Sequence, residues 1–309
     1  MTEEEKQQER KCKTECCERL AGINVKSYGL GQIDDRLNTY AEGIMSDFGA
    51  HNLYECLALE RFFHFLDKYE FRIDEVQKFI RLYEYLKFDG PHGRQSYRMT
   101  PVQVFQFANI MGFYKDSSHR LTHNVILFVP RKFSKTTSVA SLAIRDLLFG
   151  DTNAQIYTAA NTHKQANLCF NEIKKILKGL DRGLDHFKLN RETISWKDNP
   201  DRDSFIECLS SDADKLDGLN ASTVIMDEYS QADSSALYQV LATSMIMREN
   251  PLLITITTAS DKPNAPFAQM LAGAKRVLQG QVEDDSLFAH IFEPDADDKE
   301  GDPHTWRKV

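Results

Sequence analysis

Short apolar runs separated by polar segments predict buried β-strands in the second half of the chain. The runs lie at 125–129, 155–160, 221–227 and 252–260. Between them, apolar residues recur every three or four positions, as they do in amphipathic helices. These helical stretches lie at 139–144, 161–177, 234–247 and 265–278. Strands that alternate with helices indicate βαβ units, so the pattern predicts an α/β fold with a mostly parallel sheet flanked by helices.

Two local patterns add to this prediction. The stretches 193–196 and 204–209 alternate between apolar and polar residues on either side of Asn199-Pro200-Asp201, which predicts a β-hairpin. Pro101–Met111 has apolar residues at helical spacing, so we expect a further helix ahead of the first predicted strand.

The first 90 residues differ from the rest of the chain. Residues 36–88 carry apolar residues at helical spacing, which predicts an α-helical arm of two or three helices. Residues 1–22 are charged and poor in apolar residues, so we expect either a disordered segment or a frayed helix there. The clearest break is Phe88-Asp89-Gly90-Pro91-His92-Gly93, because Gly and Pro interrupt regular structure. We therefore predict three parts, at 1–22, 23–90 and 91–309.

Composition places the chain among ordinary globular proteins. Of its 309 residues, 41% are hydrophobic and 27% are charged, which are usual values for globular domains. No apolar run approaches the length that crosses a membrane, so no membrane partner is expected. The six cysteines show no paired framework, and reduced thiols are the default expectation.

The net charge of −8 argues against a protein whose whole surface binds nucleic acid. Basic residues nevertheless recur ahead of and within the predicted α/β domain: Arg94, Arg98, Lys115, Arg120, Arg131 and Lys132. A few such side chains are enough for weak, sequence-independent contacts to phosphates. The alternative for most of them is a solvated surface charge.

The loop after the first predicted strand carries the most informative motif of the chain. Beyond Pro130, the residues Ser134-Lys135-Thr136-Thr137 precede the first helix of the α/β pattern. Strand, tight loop, Lys-Thr and helix are the plan of a phosphate-binding loop, whose amides and helix N-terminus surround a phosphate. In that plan Lys135 meets the β- and γ-oxygens and Thr136 holds Mg²⁺.

This loop does not fit the regular pattern G-x-x-x-x-G-K-[ST]. Val129 stands where the first glycine belongs, and Ser134 stands where the last one does. An alternative is therefore a polar start of a helix, with Ser134 as its N-cap.

Polar residues at the ends of two later strands favour the phosphate-binding interpretation. The strand at 221–227 ends in Asp227-Glu228; in a nucleotide hydrolase the first acid supports the Mg²⁺ shell and the second polarises the attacking water. The strand at 252–260 ends in the small hydroxyl residues Thr257, Thr258 and Ser260, which suit the sensing of a phosphate beside the loop. Open α/β sheets bind their ligands at the carboxyl ends of such strands.

The order of these pieces resembles the ATPase half of the large terminase subunit, the DNA-packaging motor of tailed bacteriophages. Such terminases commonly carry an irregular phosphate loop written Arg-Lys-x-x-Lys-Thr/Ser, which matches Arg131-Lys132-Phe133-Ser134-Lys135-Thr136. Further matches are Thr100–Gln103, Ala159-Ala160 through Gln165-Ala166, Leu216–Asn220, Arg248 with Pro251-Leu252, and Thr257–Ala259. The resemblance covers roughly residues 40–309 and departs at Ser134, where the family usually has glycine.

The resemblance implies a RecA-like P-loop ATPase domain of the ASCE type at 91–309, with ATP and Mg²⁺ as cofactors. The implied ATP-binding residues are Gln103, Arg131, Lys132, Phe133, Ser134, Lys135, Thr136 and Thr137. Thr136 and Asp227 would hold Mg²⁺, Glu228 would activate water, and Arg131 would reach the γ-phosphate from the same chain. Thr257, Thr258 and Ser260 would couple the loss of phosphate to movement.

Two further residues have roles only through this resemblance. Gln103 would contact the adenine edge; its alternative is an exposed helix residue. Arg248 would act on a neighbouring subunit's nucleotide. It ends the predicted helix after Glu228 and precedes the strand of Thr257, so we expect it near the nucleotide edge of the sheet. Its alternative is a surface arginine that caps a helix.

The resemblance also implies partners and a place of action. These are double-stranded DNA, a portal protein, a small terminase subunit, a homo-oligomeric ring and the host cytoplasm. Residues 280–309 would form an acidic linker toward a nuclease domain, and no nuclease activity is expected of this chain. Two alternatives stay open: another RecA-like translocase or helicase, and a non-hydrolysing interaction protein with a decayed phosphate loop.

Overall fold

The computed structural model describes residues 2–90, 93–197, 201–209, 216, 218–260, 262, 265–299 and 301–308. Three sequence predictions fall partly outside these ranges. They concern Pro91 and His92 of the break, Asn199 and Pro200 of the hairpin turn, and Asp217 ahead of the acidic strand.

The apolar runs form one eight-stranded sheet. Its strands are β5 (Asn124–Phe128), β6 (Gln155–Ala160), β7 (Phe187–Leu189), β8 (Thr193–Trp196), β9 (Phe205–Cys208), β10 (Thr223–Asp227), β11 (Leu252–Thr257) and β12 (Leu287–Ile291). The strand order is β12-β5-β11-β10-β6-β9-β8-β7. Neighbours from β12 to β9 pair in parallel, and β7 and β8 extend the sheet by antiparallel pairing. This confirms the predicted α/β fold with a mostly parallel sheet.

Helices cover the sheet and build the amino-terminal part of the chain. They are α1 (Glu3–Ala21), α2 (Leu30–Ile33), α3 (Asp35–Ser46), α4 (Leu53–Lys68), α5 (Ile73–Tyr85), α6 (Pro101–Met111), α7 (Lys135–Phe149), α8 (His163–Leu180), α9 (Ala236–Ser244) and α10 (Pro266–Leu278). Local chemistry sets several of their starts. Asn52 and Glu55 form a capping box at α4, and Thr100 and Gln103 form one at α6. Among the described residues, no helix has both the length and the apolar character needed to cross a membrane.

The short strands outside the main sheet were not predicted. β1 (Glu70–Phe71) pairs with β4 (Phe113–Tyr114), and β2 (Phe88–Gly90) pairs with β3 (Gly93–Gln95). The second pair lies at the break predicted between arm and α/β domain. The predicted hairpin is confirmed by the antiparallel pairing of β8 and β9, in which Ile194 lies opposite Ile206.

The expectation of a disordered segment at 1–22 is wrong, because α1 begins at Glu3 and runs to Ala21. A capping box between Thr2 and Glu5 fixes its start. Cys16 and Leu20 are fully buried and anchor the helix against the rest of the arm. This buried face is narrow, so the low overall hydrophobicity of the segment concealed it.

The expectation of an acidic linker at 280–309 is also wrong for much of that range. Leu287–Ile291 forms β12, every residue of which is buried, and it pairs in parallel with β5. Beyond the strand, the acids are held in place by cations. Asp295 pairs with Lys13 and with Lys308, and Asp298 pairs with Lys308.

A buried polar network connects the helical arm to the edge of the sheet. The ring of His290 on β12 lies between the hydroxyl of Tyr40 on α3, at 2.9 Å, and the amide of Gln106 on α6, at 3.1 Å. Both ring nitrogens thus have a partner, as buried polar groups require. Buried residues of the arm and of the sheet belong to one continuous hydrophobic cluster. The domain limits at 22 and 90 stay predictions.

Candidate nucleotide site

The carboxyl ends of β5, β10 and β11 bring the three motifs to one edge of the sheet. β11 lies between the other two strands, and its register pairs Thr257 with Phe128 and Ile256 with Asp227. The strands run parallel, so the loop after β5, the acids of β10 and the hydroxyl residues of β11 emerge side by side. Parallel α/β sheets place their ligands at such an edge.

The loop between β5 and α7 takes a backbone conformation that normally favours glycine. Lys132 has φ 68° and Ser134 has φ 58°, both in the left-handed region. For a residue with a side chain, this region costs about 1–2 kcal/mol. The Ser134 side chain makes no capping hydrogen bond to α7, so the alternative of an ordinary serine N-cap lacks its defining contact. A left-handed turn that leads into a helix N-terminus is a geometry that holds anions.

Lys135 on α7 reaches both acids at the end of β10. Its Nζ lies 3.2 Å from Asp227 Oδ1 and also pairs with Glu228 Oε1. Lys135 Nζ and Asp227 Oδ1 are buried, and within the described part of the chain neither has an aligned hydrogen bond. Burial raises the pKa of Asp227, and the nearby Lys135 ammonium opposes that rise.

The unsatisfied atoms Lys135 Nζ and Asp227 Oδ1 show whether the site has the chemistry to hold ATP and Mg²⁺. A buried ammonium without aligned acceptors suits phosphate oxygens. A buried carboxylate oxygen without an aligned donor suits a hard cation that takes oxygen ligands. Thr136 and Thr137 are half-buried in the first turn of α7. The residues present therefore fit the implied groups.

The three loop residues before Ser134 lie at the surface. Arg131 and Lys132 are exposed, and among the described residues Arg131 forms no ion pair or hydrogen bond. Its guanidinium is thus available to an anion. Phe133 is half-buried, and its ring lies 5.6 Å from the ring of Phe292, directly after β12. That contact fixes one side of the loop to the sheet.

Gln103 is buried and occupied within the protein. Its Oε1 accepts from the N–H of Thr100 at 2.9 Å, and its Nε2 donates to Ser138 Oγ on α7 at 2.9 Å. The alternative of an exposed helix residue is wrong, because only 4% of Gln103 is exposed. In this conformation the amide braces the phosphate-loop helix, and a contact to adenine stays a prediction.

The residues predicted to couple phosphate loss to movement contact the turn after Glu228. The hydroxyl of Thr257 accepts from the N–H of Ser230 at 3.1 Å and donates to Ser230 Oγ at 2.7 Å. The hydroxyl of Ser260 accepts from Gln231 Nε2 at 3.0 Å. Thr258 is buried next to Thr257 in the chain.

Two further residues of this region have no role predicted from the sequence. Ser230 follows the acids by two positions, and Asn161 directly follows β6, the neighbour of β10 on the other side. The side chain of Asn161 donates to the carbonyl of Gln231 at 3.0 Å. Their place in the sequence could have indicated a role, because a polar residue just past a parallel strand lies at the ligand edge.

The expected position of Arg248 near the nucleotide edge is wrong. Arg248 precedes β11, and its guanidinium donates to Asn220 O, which precedes β10, and to Asn153, which precedes β6. These residues lie at the amino ends of parallel strands, so Arg248 is at the opposite edge of the sheet. The reason is that α9 carries the chain from the carboxyl edge back to the amino edge.

Comparisons with known proteins agree with this architecture. The family of the terminase large subunit ATPase domain matches residues 101–276, which is more than half of the chain. The crystal structure of the HK97 bacteriophage large terminase is 21% identical, with a TM-score of 0.60 over 72% of this chain and 45% of that chain. At this identity the likeness concerns the fold. Protein YmfN of Escherichia coli is 33% identical over 93 residues, which are 30% of this chain and 20% of that protein. The chain thus spans less than half the length of either relative.

Proposed function

Because the chain belongs to the terminase large subunit ATPase family, we propose that it hydrolyses ATP to move double-stranded DNA into a procapsid. The observation that carries this proposal is the buried contact between Lys135 and the two acids Asp227 and Glu228 at the ligand edge. The family is that of a phage DNA-packaging ATPase. We propose beyond this that the chain itself hydrolyses ATP and that it moves double-stranded DNA into a procapsid.

In the proposed site each residue has the role that its chemistry suits. The ammonium of Lys135 and the amides of the left-handed loop bind the β- and γ-phosphates. Thr136 and Asp227 hold Mg²⁺, which neutralises charge on the phosphate oxygens when bound. The exposed guanidinium of Arg131 can turn inward to the γ-phosphate, since no described residue engages it.

Glu228 has the position of the residue that activates water. Its carboxylate is an acceptor that takes a proton from the attacking water, and it lies one residue beyond Asp227 at the strand end. In the structure it pairs with Lys135. Binding of a γ-phosphate gives Lys135 a competing anion, so the carboxylate of Glu228 is released for its role as base.

The departure at Ser134 does not favour a decayed loop. Ser134 adopts φ 58° and ψ 29°, the conformation that a glycine in this place would supply. The serine therefore preserves the shape of the loop despite its side chain. The proposal includes a homo-oligomeric ring with a portal protein and a small terminase subunit, at the procapsid in the host cytoplasm.

The test is ATP hydrolysis by the purified chain, with and without linear double-stranded DNA. We expect Mg²⁺-dependent hydrolysis that Lys135→Ala abolishes and that the matched surface variant Lys26→Ala leaves intact. Lys26 is exposed and lies far along the chain from the site. Hydrolysis that survives Lys135→Ala, or no hydrolysis in the parent protein in either condition, would refute the proposal.

A further inference from the structure

Glu228 is held in a backbone conformation that a glutamate seldom adopts. It has φ 53° and ψ 38°, in the left-handed region. A side chain crowds the backbone in this region, so such residues persist only where their surroundings fix them, and they cluster at functional sites. The backbone on both sides of Glu228 is indeed fixed. Its N–H donates to Ile256 O at 2.9 Å, and its carbonyl accepts from Gln231 N–H at 3.0 Å.

β11 holds the turn Tyr229–Gln231 from one side. The Thr257 hydroxyl makes two hydrogen bonds to Ser230, accepting from its backbone N–H and donating to its hydroxyl. Both residues are buried, with 0% of Thr257 and 3% of Ser230 exposed. Water therefore cannot replace this pair of hydrogen bonds without opening the turn.

β6 holds the same turn from the other side. The Asn161 amide, just beyond that strand, donates to Gln231 O. Gln231 is also bound through its side chain to Ser260, and its carbonyl accepts from Lys262 Nζ at 3.0 Å. The turn after Glu228 is therefore anchored to both strands that flank β10.

We infer that Ser230 and Asn161 are positioning residues for the water-activating carboxylate of Glu228, acting through the turn that they hold with Thr257. The role assigned to each side chain is to hold the turn rather than to contact the reacting atoms. Each keeps the backbone of Glu228 left-handed, and this sets the direction in which its side chain leaves the strand. Without these contacts Glu228 relaxes to the right-handed region, and its carboxylate leaves the place where water must be activated. The inference rests on the proposed function.

Matched substitutions separate this role from simple stability. Thr257→Val removes both hydrogen bonds to Ser230 at nearly constant shape, whereas Thr257→Ser keeps the hydroxyl. Asn161→Asp keeps the shape but removes the donor to Gln231, and Ser230→Ala removes one hydroxyl. Ser244→Ala is the control, because among the described residues its hydroxyl donates to Leu241 O within α9 and to no other group.

Three measurements are made on each variant: kcat and KM for ATP hydrolysis, thermal unfolding, and amide hydrogen exchange of residues 228–233 without nucleotide. We expect Thr257→Val and Asn161→Asp to lower kcat about 10–100-fold, since small misplacements of a catalytic group have effects of this size. KM stays near the parent value, exchange in the turn rises, and Thr257→Ser recovers most of kcat.

Two results would overturn the inference in an active parent protein. One is an unchanged kcat in Thr257→Val and Asn161→Asp. The other is a loss of kcat that follows thermal stability and is shared by Thr257→Ser, without faster exchange in the turn. A parent protein that hydrolyses no ATP refutes the proposed function itself, and the positioning role with it.

Discussion

Lys135 Nζ lies 3.2 Å from Asp227 Oδ1, and this contact joins the phosphate loop to the acidic strand. The same ammonium pairs with Glu228, so one cation balances two carboxylates at a buried edge of the sheet. Two adjacent acids without a cation would repel each other, and the more buried one would take up a proton. Lys135 therefore preorganises the site, and its charge opposes the rise that burial causes in the pKa of Asp227.

Lys135→Ala should weaken ATP binding and should also raise the pKa of Asp227 in the nucleotide-free protein. A charge-assisted contact to phosphate contributes on the order of 1.5–3 kcal/mol, which corresponds to roughly a 10–150-fold loss of affinity. Titration calorimetry with a slowly hydrolysed ATP analogue measures this loss. Without the ammonium, burial raises the pKa of Asp227 further, because the largest opposing charge is gone, so its carboxylate should protonate at higher pH. Unchanged affinity would mean that the loop does not hold phosphate.

Glu228→Gln should bind ATP and fail to turn it over. The amide cannot accept a proton from water, and loss of a general base costs typically 10²–10⁴-fold in rate. Asp227 and Lys135 keep their contact in this variant, so binding is preserved. Glu249→Gln, at an exposed position outside the site, is the control. Turnover at the parent rate would exclude Glu228 as the base.

Ser134→Gly should be tolerated and should bind ATP as tightly as the parent or more tightly. Glycine relieves the left-handed strain of about 1–2 kcal/mol, and its greater freedom in the unfolded chain offsets much of that gain. Ser134→Val should lose ATP binding, because a β-branched residue fits φ 58° poorly. If glycine instead abolishes activity, the Ser134 side chain has a role of its own.

Much of this fold could be predicted from local pattern. The runs at β5, β6, β10 and β11 are apolar, short and followed by polar residues, so both the strands and their ligand edge were visible in the sequence. β12 was missed because its five residues stand among acids that suggest a solvated linker. Its burial comes from pairing with β5, which lies about 160 residues earlier and which no local pattern reveals.

In the site, too, some residues are recognisable from neighbouring residues in the sequence, and others only from the arrangement of the strands. Lys135 and Asp227 belong to recognisable motifs, whereas the contacts of Ser230 and Asn161 depend on which strands become neighbours. Arg248 is a different case, because the sequence did contain the answer. A residue that precedes a parallel strand lies at the amino edge, away from the ligand, so the position of Arg248 ahead of β11 places it opposite the site.

Stability should fall in acid through His290. Burial lowers the pKa of His290 to about 3, from the ordinary value of 6.5, with a smaller contribution from the charge of His51. Between these pH values the unfolded chain binds the proton that the folded ring excludes. Stability is therefore lost as the pH falls from about 6.5 toward 3, by at most about 1.4 kcal/mol per pH unit from this group.

Urea unfolding at pH 7, 5.5 and 4.5 measures this dependence. His290→Gln should flatten it, because glutamine can bond to Tyr40 and Gln106 without titrating. His64→Gln, at an exposed position, should leave the slope unchanged. Equal slopes in the parent and in His290→Gln would show that other groups cause the acid sensitivity.

Arg248→Ala should destabilise the fold without changing the chemistry of the site. The guanidinium makes four hydrogen bonds to Asn153 and Asn220, which fasten the segments before β6 and β10. Their loss leaves carbonyl groups to be satisfied by water at a half-exposed position, so the cost should be about 1–3 kcal/mol in the free energy of unfolding. Arg248→Lys should recover only part of it, because an ammonium lacks the planar fork of donors.

Catalysis should show that Arg248 does not serve a neighbouring subunit. Below the unfolding temperature, specific activity should depend on protein concentration in the same way in Arg248→Ala and in the parent. Mixing Arg248→Ala subunits with Glu228→Gln subunits tests this directly, since complementation between two defective subunits requires a residue that acts across their interface. We expect the mixture to hydrolyse ATP only at the rate of its Arg248→Ala component. A mixture that hydrolyses ATP faster than its Arg248→Ala component alone would contradict this prediction. Together with a flattened concentration dependence in Arg248→Ala alone, it would show that the arginine acts in the neighbouring site.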